Sequence, residues 1–166
     1  MYDIDFFKKT NNLKKKITTG LLKSADSEDI SFELETLRKK SPHIYNIETT
    51  NYCNMKCVMC PRTMFMTRKN IWIDDKLFEN LITDIKIHEQ KNLESFWTWL
   101  ENDYKQKTKE VSENGFYFSI ISRHLVLHGF GEPFLDKNLI QRIELCSKKK
   151  IPTYFSCTPA TMTIEK

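Results

Sequence analysis

The 166-residue chain has no apolar run approaching the roughly 18–20 residues that span a bilayer. Its N-terminus also lacks the apolar core of a signal peptide, because Asp3, Asp5 and a series of lysines interrupt it. Together these absences argue against a membrane-spanning helix and for a cytoplasmic location, where thiols stay reduced. There is no internal repeat and no low-complexity tract, which sets aside repeat architectures. Cysteines are few, five in all, and a chain of this length can bury a core without disulfide staples. In a reducing compartment, clustered cysteines hold metal or carry redox chemistry rather than pair as disulfides.

What is present reads as one globular domain of ordinary size, with 40% hydrophobic and 29% charged residues. The net charge of +4 is unevenly spread. Lys8, Lys9, Lys14, Lys15, Lys16 and Lys23 stand against only Asp3 and Asp5 in the N-terminal segment. Such a run is a solvated helix face or, on a functional reading, a footprint for an acidic partner or nucleic acid.

Residues 1–42 read as an N-terminal helical extension. Phe6, Leu13, Ile17 and Leu21 have roughly helical spacing, Phe32, Leu34 and Leu37 form a weaker set, and Ser41-Pro42 closes the segment. Residues 43–166 read as the core domain. His43–Thr50, with β-branched and aromatic residues after a proline, predicts a strand. Asp74–Ile87 predicts an amphipathic helix with Leu77, Phe78, Leu81, Ile82 and Ile85 on one face and Asp74 or Asp75 as cap. Leu125–Leu127 predicts a short buried strand, Asp136–Lys150 a helix with Leu139, Ile140, Ile143 and Cys146 inward, and Ile151–Cys157 a third strand. The order β-loop-α-β-loop-α-β predicts an α/β fold of parallel βα units. Residues 91–124 are an insert in this scheme. Leu93, Phe96, Trp97, Leu100 and Tyr104 predict a helix there, with the aromatic stripe as core, and Phe116–Ile121 is compatible with either a strand or a packed helix end.

The densest chemistry lies in Thr50-Asn-Tyr-Cys-Asn-Met-Lys-Cys-Val-Met-Cys-Pro61, where Cys53, Cys57 and Cys60 are spaced C-x3-C-x2-C. Thiolates are soft ligands that select zinc, copper(I) or iron–sulfur clusters. Three of them on one short loop can take three corners of a cubane, and a fourth corner would then lack a protein ligand. The other two cysteines, Cys146 on the apolar face of its helix and Cys157 at the end of the third strand, read as core fillers. A second unusual run, His128-Gly-Phe-Gly-Glu-Pro133, ends the second predicted strand.

These two motifs resemble those of the radical S-adenosylmethionine (radical SAM) superfamily. C-x3-C-x2-C after a first strand, followed by Pro61, is similar to its cluster loop. Asn54 and Met59 match the wording of the subgroup that often carries a C-terminal auxiliary-cluster (SPASM-type) domain, and residues 128–133 resemble its G-G-E-P element. The resemblance covers roughly residues 43–163 and leaves out the N-terminal helices and the insert. It implies the first half of a partial (β/α)6 radical SAM barrel. The sequence ends at Thr161–Lys166, where a third helix would begin, so it reads as the N-terminal half of such an enzyme.

The resemblance also implies roles. Cys53, Cys57 and Cys60 would ligate three irons of a [4Fe-4S] cluster, and the fourth iron would take the amino and carboxylate groups of S-adenosylmethionine. Electrons from an external donor would drive cleavage of the sulfonium to a 5′-deoxyadenosyl radical, which abstracts hydrogen from an unknown substrate, a peptide or protein by the subgroup wording. The Gly131 backbone and the Glu132 carboxylate would receive the methionine ammonium, Gly129 would lie with them at the cofactor, the Met59 backbone would meet adenine, and Ser156 would touch the cofactor. Thr158-Pro159 stands where the family often has Asn-Gly, which puts that last contact in question.

Plainer readings stand beside these. Gly129 and Gly131 serve equally as turn glycines, Glu132 as a solvated loop acid and His128 as a satisfied strand-end histidine. A non-catalytic electron-transfer protein would need Cys146 or Cys157 as a fourth ligand. A structural zinc module would draw on His43, His88 or Cys157.

Overall fold

The computed structural model describes residues 3–21, 27–38, 43–107 and 112–158. The chain divides into two compact units, residues 2–43 and residues 44–166. In the first, helix α1 runs over Ile4–Thr18. Asp3 caps it by accepting from the Phe6 amide at 3.0 Å, which satisfies one of the free donors of the first turn. The helix stops where Gly20 takes a positive φ of 73°, short of Leu21, which is exposed. Helix α2, Ser27–Leu37, packs on α1. Ile4 and Leu13 are buried, whereas Phe32 and Leu34 face solvent. Ser41-Pro42 lies outside the described residues.

The second unit contains α3 (Pro61–Phe65), α4 (Asp75–Thr83), α5 (Gln90–Tyr104), α6 (Glu113–Arg123), β1 (Leu125–Val126), a 3-10 turn (Pro133–Leu135), α7 (Leu139–Lys148) and β2 (Thr153–Tyr154). Its core gathers Ile47, Phe78, Ile82, Leu125, Leu127, Cys146 and Ile151. α4 and α7 both pack into this cluster, and the segments around 47, 126 and 151 supply the rest. Burying a side chain of this size contributes about 1.5–3 kcal/mol. Cys146 is fully buried, and desolvation pushes its thiol up to about 11. It is a neutral core filler, as its place on the helix predicts.

The described residues are mostly helical, with one two-stranded parallel sheet, β1 against β2. This overturns the expectation of parallel βα units forming the first half of a (β/α)6 barrel. The main failure is the first predicted strand, His43–Thr50. It contributes only isolated bridges, Asn46 with Val126 and Thr50 with Trp72. The hydrogen bonds show why. The Ile47 amide donates to Val126 O and the Val126 amide to Tyr45 O, each at 2.8 Å. Two residues later the chain has changed partner. Thr49 O accepts from the Ile73 amide at 2.9 Å, and Thr50 pairs antiparallel with Trp72. A ladder needs one partner over several residues, and this segment divides its backbone groups between two. The third predicted strand shrinks similarly, to Thr153–Tyr154, held by the Leu127 amide donating to Tyr154 O and the Leu125 amide to Pro152 O, each at 2.8 Å.

The helices follow the apolar periodicity more closely. Asp74 caps α4 by accepting from the Leu77 amide at 2.9 Å, as its position predicts, although the helix ends at Thr83 rather than Ile87 and Leu77 is exposed. In the insert, Leu93, Phe96 and Leu100 of α5 are buried. Phe116–Ile121 belongs to helix α6, started by Ser112, whose hydroxyl accepts from the Gly115 amide. In α7, Leu139 and Cys146 face inward but Ile140 is exposed.

Candidate functional site

The cysteine loop is closed by a residue that sequence reasoning passed over, Asn51. Its side chain is buried and spans the two ends of the excursion. Nδ2 donates to Lys69 O at 2.9 Å and Oδ1 accepts from the Ile71 amide at 2.7 Å. The Asn51 carbonyl accepts from Arg62 Nε at 3.0 Å, and its own amide donates to Ile71 O at 3.3 Å. Thr50 adds a bond from its hydroxyl to Ile71 O at 3.1 Å. The base is completed by Tyr52 stacked on Trp72, with ring centroids 4.2 Å apart, and by Trp72 Nε1 donating to Leu135 O at 3.0 Å. Asparagine suits this place because one amide supplies donors and an acceptor together. The only sequence signal was its position directly before the cysteines.

Within the loop, the Cys60 amide donates to Cys57 O at 3.1 Å, forming a tight turn with Val58 and Met59 at its tip. Cys60 then precedes α3, with Pro61 at its first position, where a missing N–H costs nothing. Thr63 ties the turn to the helix, its hydroxyl donating to Cys57 O at 3.2 Å. Cys57 is exposed, Cys53 and Cys60 are half-buried, and all five cysteines are free thiols. Met59 is 92% exposed, so its backbone and side chain are reachable from solvent.

The structure brings the second motif onto this base. The Glu132 amide donates to Tyr52 O at 2.7 Å, one residue before Cys53. Gly131 lies so close to Thr50 that a Cβ there would overlap Thr50 O and stand 2.7 Å from Thr50 C and 3.0 Å from Asn51 Cα. Only glycine permits this approach of two backbones. Gly129 is similarly pressed, against the Glu48 side chain. The Glu48 carboxylate accepts from the Phe130 amide at 2.7 Å and from Arg68 Nη2 at 2.8 Å. Both glycines have a local packing reason, which the turn reading alone does not supply.

Glu132 is buried, which corrects the solvated-acid alternative. Its Oε1 accepts from the Phe134 amide at 3.2 Å. Oε2 accepts from the Thr158 amide at 2.9 Å and the Thr158 hydroxyl at 2.6 Å. A carboxylate has about four acceptor positions, so a further donor can still be received. Thr158, which stands where the resemblance anticipated Asn-Gly, thus helps to hold the carboxylate. Pro159 and the expected third helix at Thr161–Lys166 lie outside the described residues. His128 accepts from the Ser156 amide at Nδ1, 3.1 Å, and burial lowers its pKa below the usual value. It is therefore a neutral, satisfied histidine that positions Ser156, whose residue is exposed.

The remaining cysteine departs from expectation. Cys157 is exposed rather than a core filler, and its thiol is pushed up by local desolvation and then by the Glu132 charge. A second residue missed by sequence reasoning is Arg142 of α7. It is buried, with Nε on Asp136 at 2.9 Å and Nη2 on Ile73 O at 2.9 Å and on Asp75 at 2.8 Å. This network ties the segment after the 3-10 turn to α4 and to Ile73, the residue after Trp72.

Among the described residues no group of three or more His, Cys, Asp or Glu side chains is placed to hold a metal ion, with or without His43, His88 or Cys157. The donor set fits an iron–sulfur cluster in kind: three soft, unpaired thiols on an accessible loop. Cluster assembly would require residues 53–60 to draw together. No helix among the described residues is long and apolar enough to cross a membrane. Comparison with protein-family models, with curated proteins and with solved structures gives no match.

Proposed function

We propose that the chain is an iron–sulfur protein that binds S-adenosylmethionine and uses it for hydrogen abstraction from a substrate, with a peptide or protein as the class favoured by the wording of the cysteine loop. The observation that carries this reading is the junction of the two motifs. Segments 128–133 and 50–60, far apart in sequence, are tied by the Glu132 amide on Tyr52 O and by Gly131 packed on Thr50. Cys53, Cys57 and Cys60 would hold three irons and leave the fourth to the ligand. Glu132, buried with acceptor capacity left, would take the ligand's ammonium, a charge-assisted bond stronger than a neutral one. Thr158 and the Phe134 amide keep that carboxylate aimed. Held by these residues, a cluster and cofactor would supply one-electron cleavage of a sulfonium, with the electron from an external donor.

Anaerobic reconstitution with iron and sulfide tests the reading. The expected product is brown, holds about four irons per chain, and changes its absorption spectrum on adding S-adenosylmethionine. Glu132→Gln should keep the colour and lose the spectral change. A cluster that survives replacement of Cys53, Cys57 and Cys60 by alanine, or a colourless zinc-loaded protein, would sink it.

A further inference from the structure

Lys56 of the cysteine loop and the segment after it line an open cleft of about 550 Å3, with Arg62, Thr63, Met66, Arg68 and Asn70. This volume lies within the range of small-molecule sites. No acidic side chain and no cysteine lines it. The Arg62 side chain is aimed by its Nε bond to Asn51 O, so its two terminal nitrogens remain for a ligand. Arg68 is steadied by Glu48, its partner at 2.8 Å. Thr63 and Asn70 add neutral hydrogen-bonding groups. Three cations with one counter-charge leave a local excess of two, which matches a phosphate monoester, about −1.5 to −2 near neutral pH, better than a single carboxylate. Two guanidinium groups and an ammonium also suit three equivalent phosphate oxygens.

We infer that this cleft binds the phosphate of a small phosphorylated molecule. The inference does not rest on the iron–sulfur reading, because the cleft shares no lining residue with the thiols, Gly131 or Glu132. The same tight base serves both, since Asn51 that closes the loop also orients Arg62.

The test uses the full 166-residue chain without added iron. Inorganic phosphate, acetate and a short single-stranded oligoribonucleotide are titrated separately by calorimetry at constant ionic strength. Phosphate should bind saturably and at least about tenfold more tightly than acetate. Lys56→Gln, an exposed position, should leave the melting temperature unchanged and weaken phosphate about fivefold, as for a solvent-facing charge pair. Arg62→Lys keeps the charge, loses the planar fork, and should weaken phosphate further. Equal binding of phosphate and acetate, or unchanged affinity in both variants, overturns the inference. Tight binding of the oligoribonucleotide with no saturable binding of phosphate overturns it in favour of a nucleic-acid surface.

Discussion

Replacing Gly131 by alanine puts one methyl group where two backbones meet. The new Cβ would overlap Thr50 O and lie 2.7 Å from Thr50 C and 3.0 Å from Asn51 Cα. None of these atoms belongs to a side chain that can rotate away, so the segments must separate. Separation stretches the bond from the Glu132 amide to Tyr52 O, now 2.7 Å. A buried donor left without its partner costs about 1–3 kcal/mol, and forced overpacking costs about 1–3 kcal/mol more. The sum, about 2–6 kcal/mol, is a large part of an ordinary domain's 5–15 kcal/mol. Gly20 provides the internal comparison. It has nothing within 4 Å of its Cβ position and a φ of +73°, so Gly20→Ala should cost only the left-handed backbone strain, about 1–2 kcal/mol. Gly129→Ala should fall between, because the group in the way is the Glu48 side chain, which can move at the expense of its bonds to Phe130 and Arg68. Urea denaturation followed by far-ultraviolet circular dichroism, which reads the helices of both units, gives the three values. If Gly131→Ala is no more destabilising than Gly20→Ala, the two motifs are not in the contact described here.

Two further outcomes follow from the same base. Asn51→Ala removes the side chain that spans Lys69 and Ile71. It should cost about 1–3 kcal/mol for two partly buried bonds and should accelerate hydrogen exchange at the Ile71 amide; unchanged protection there would refute the clamp. His128 is held neutral by burial, with its folded pKa below the unfolded value of 6.5. The unfolded chain therefore binds the extra proton first, and this contribution to stability is complete above pH 6.5 and is lost as pH falls from there through the lower folded pKa. Imidazole NMR shifts should titrate below 6.5, and His128→Gln should flatten the loss of stability between pH 7 and 5. A midpoint at or above 6.5 would contradict the burial.

Helices were legible because apolar spacing and caps act over one or two turns. Asp74 announces α4, and Leu93, Phe96 and Leu100 announce α5. The sheet was not, because a strand exists only with its partner. His43–Thr50 has the composition of a strand, yet its hydrogen bonds go to Val126 on one side and to Ile73 and Trp72 on the other. Cys157 misled for a related reason: its place at the end of the third predicted strand suggested core filling, but β2 ends at Tyr154 and the residue lies outside the ladder.

By itself the sequence determined the chemistry available: three thiols within eight residues and a glycine–glutamate run, fixed by residue identity and covalent spacing. Only the tertiary structure decided that these runs touch. That depends on Gly131 admitting Thr50, on Thr158 holding Glu132, and on Asn51 closing the loop. Each of these is a contact between residues remote in the chain, and such contacts are set by the packing of the whole unit rather than by any local preference.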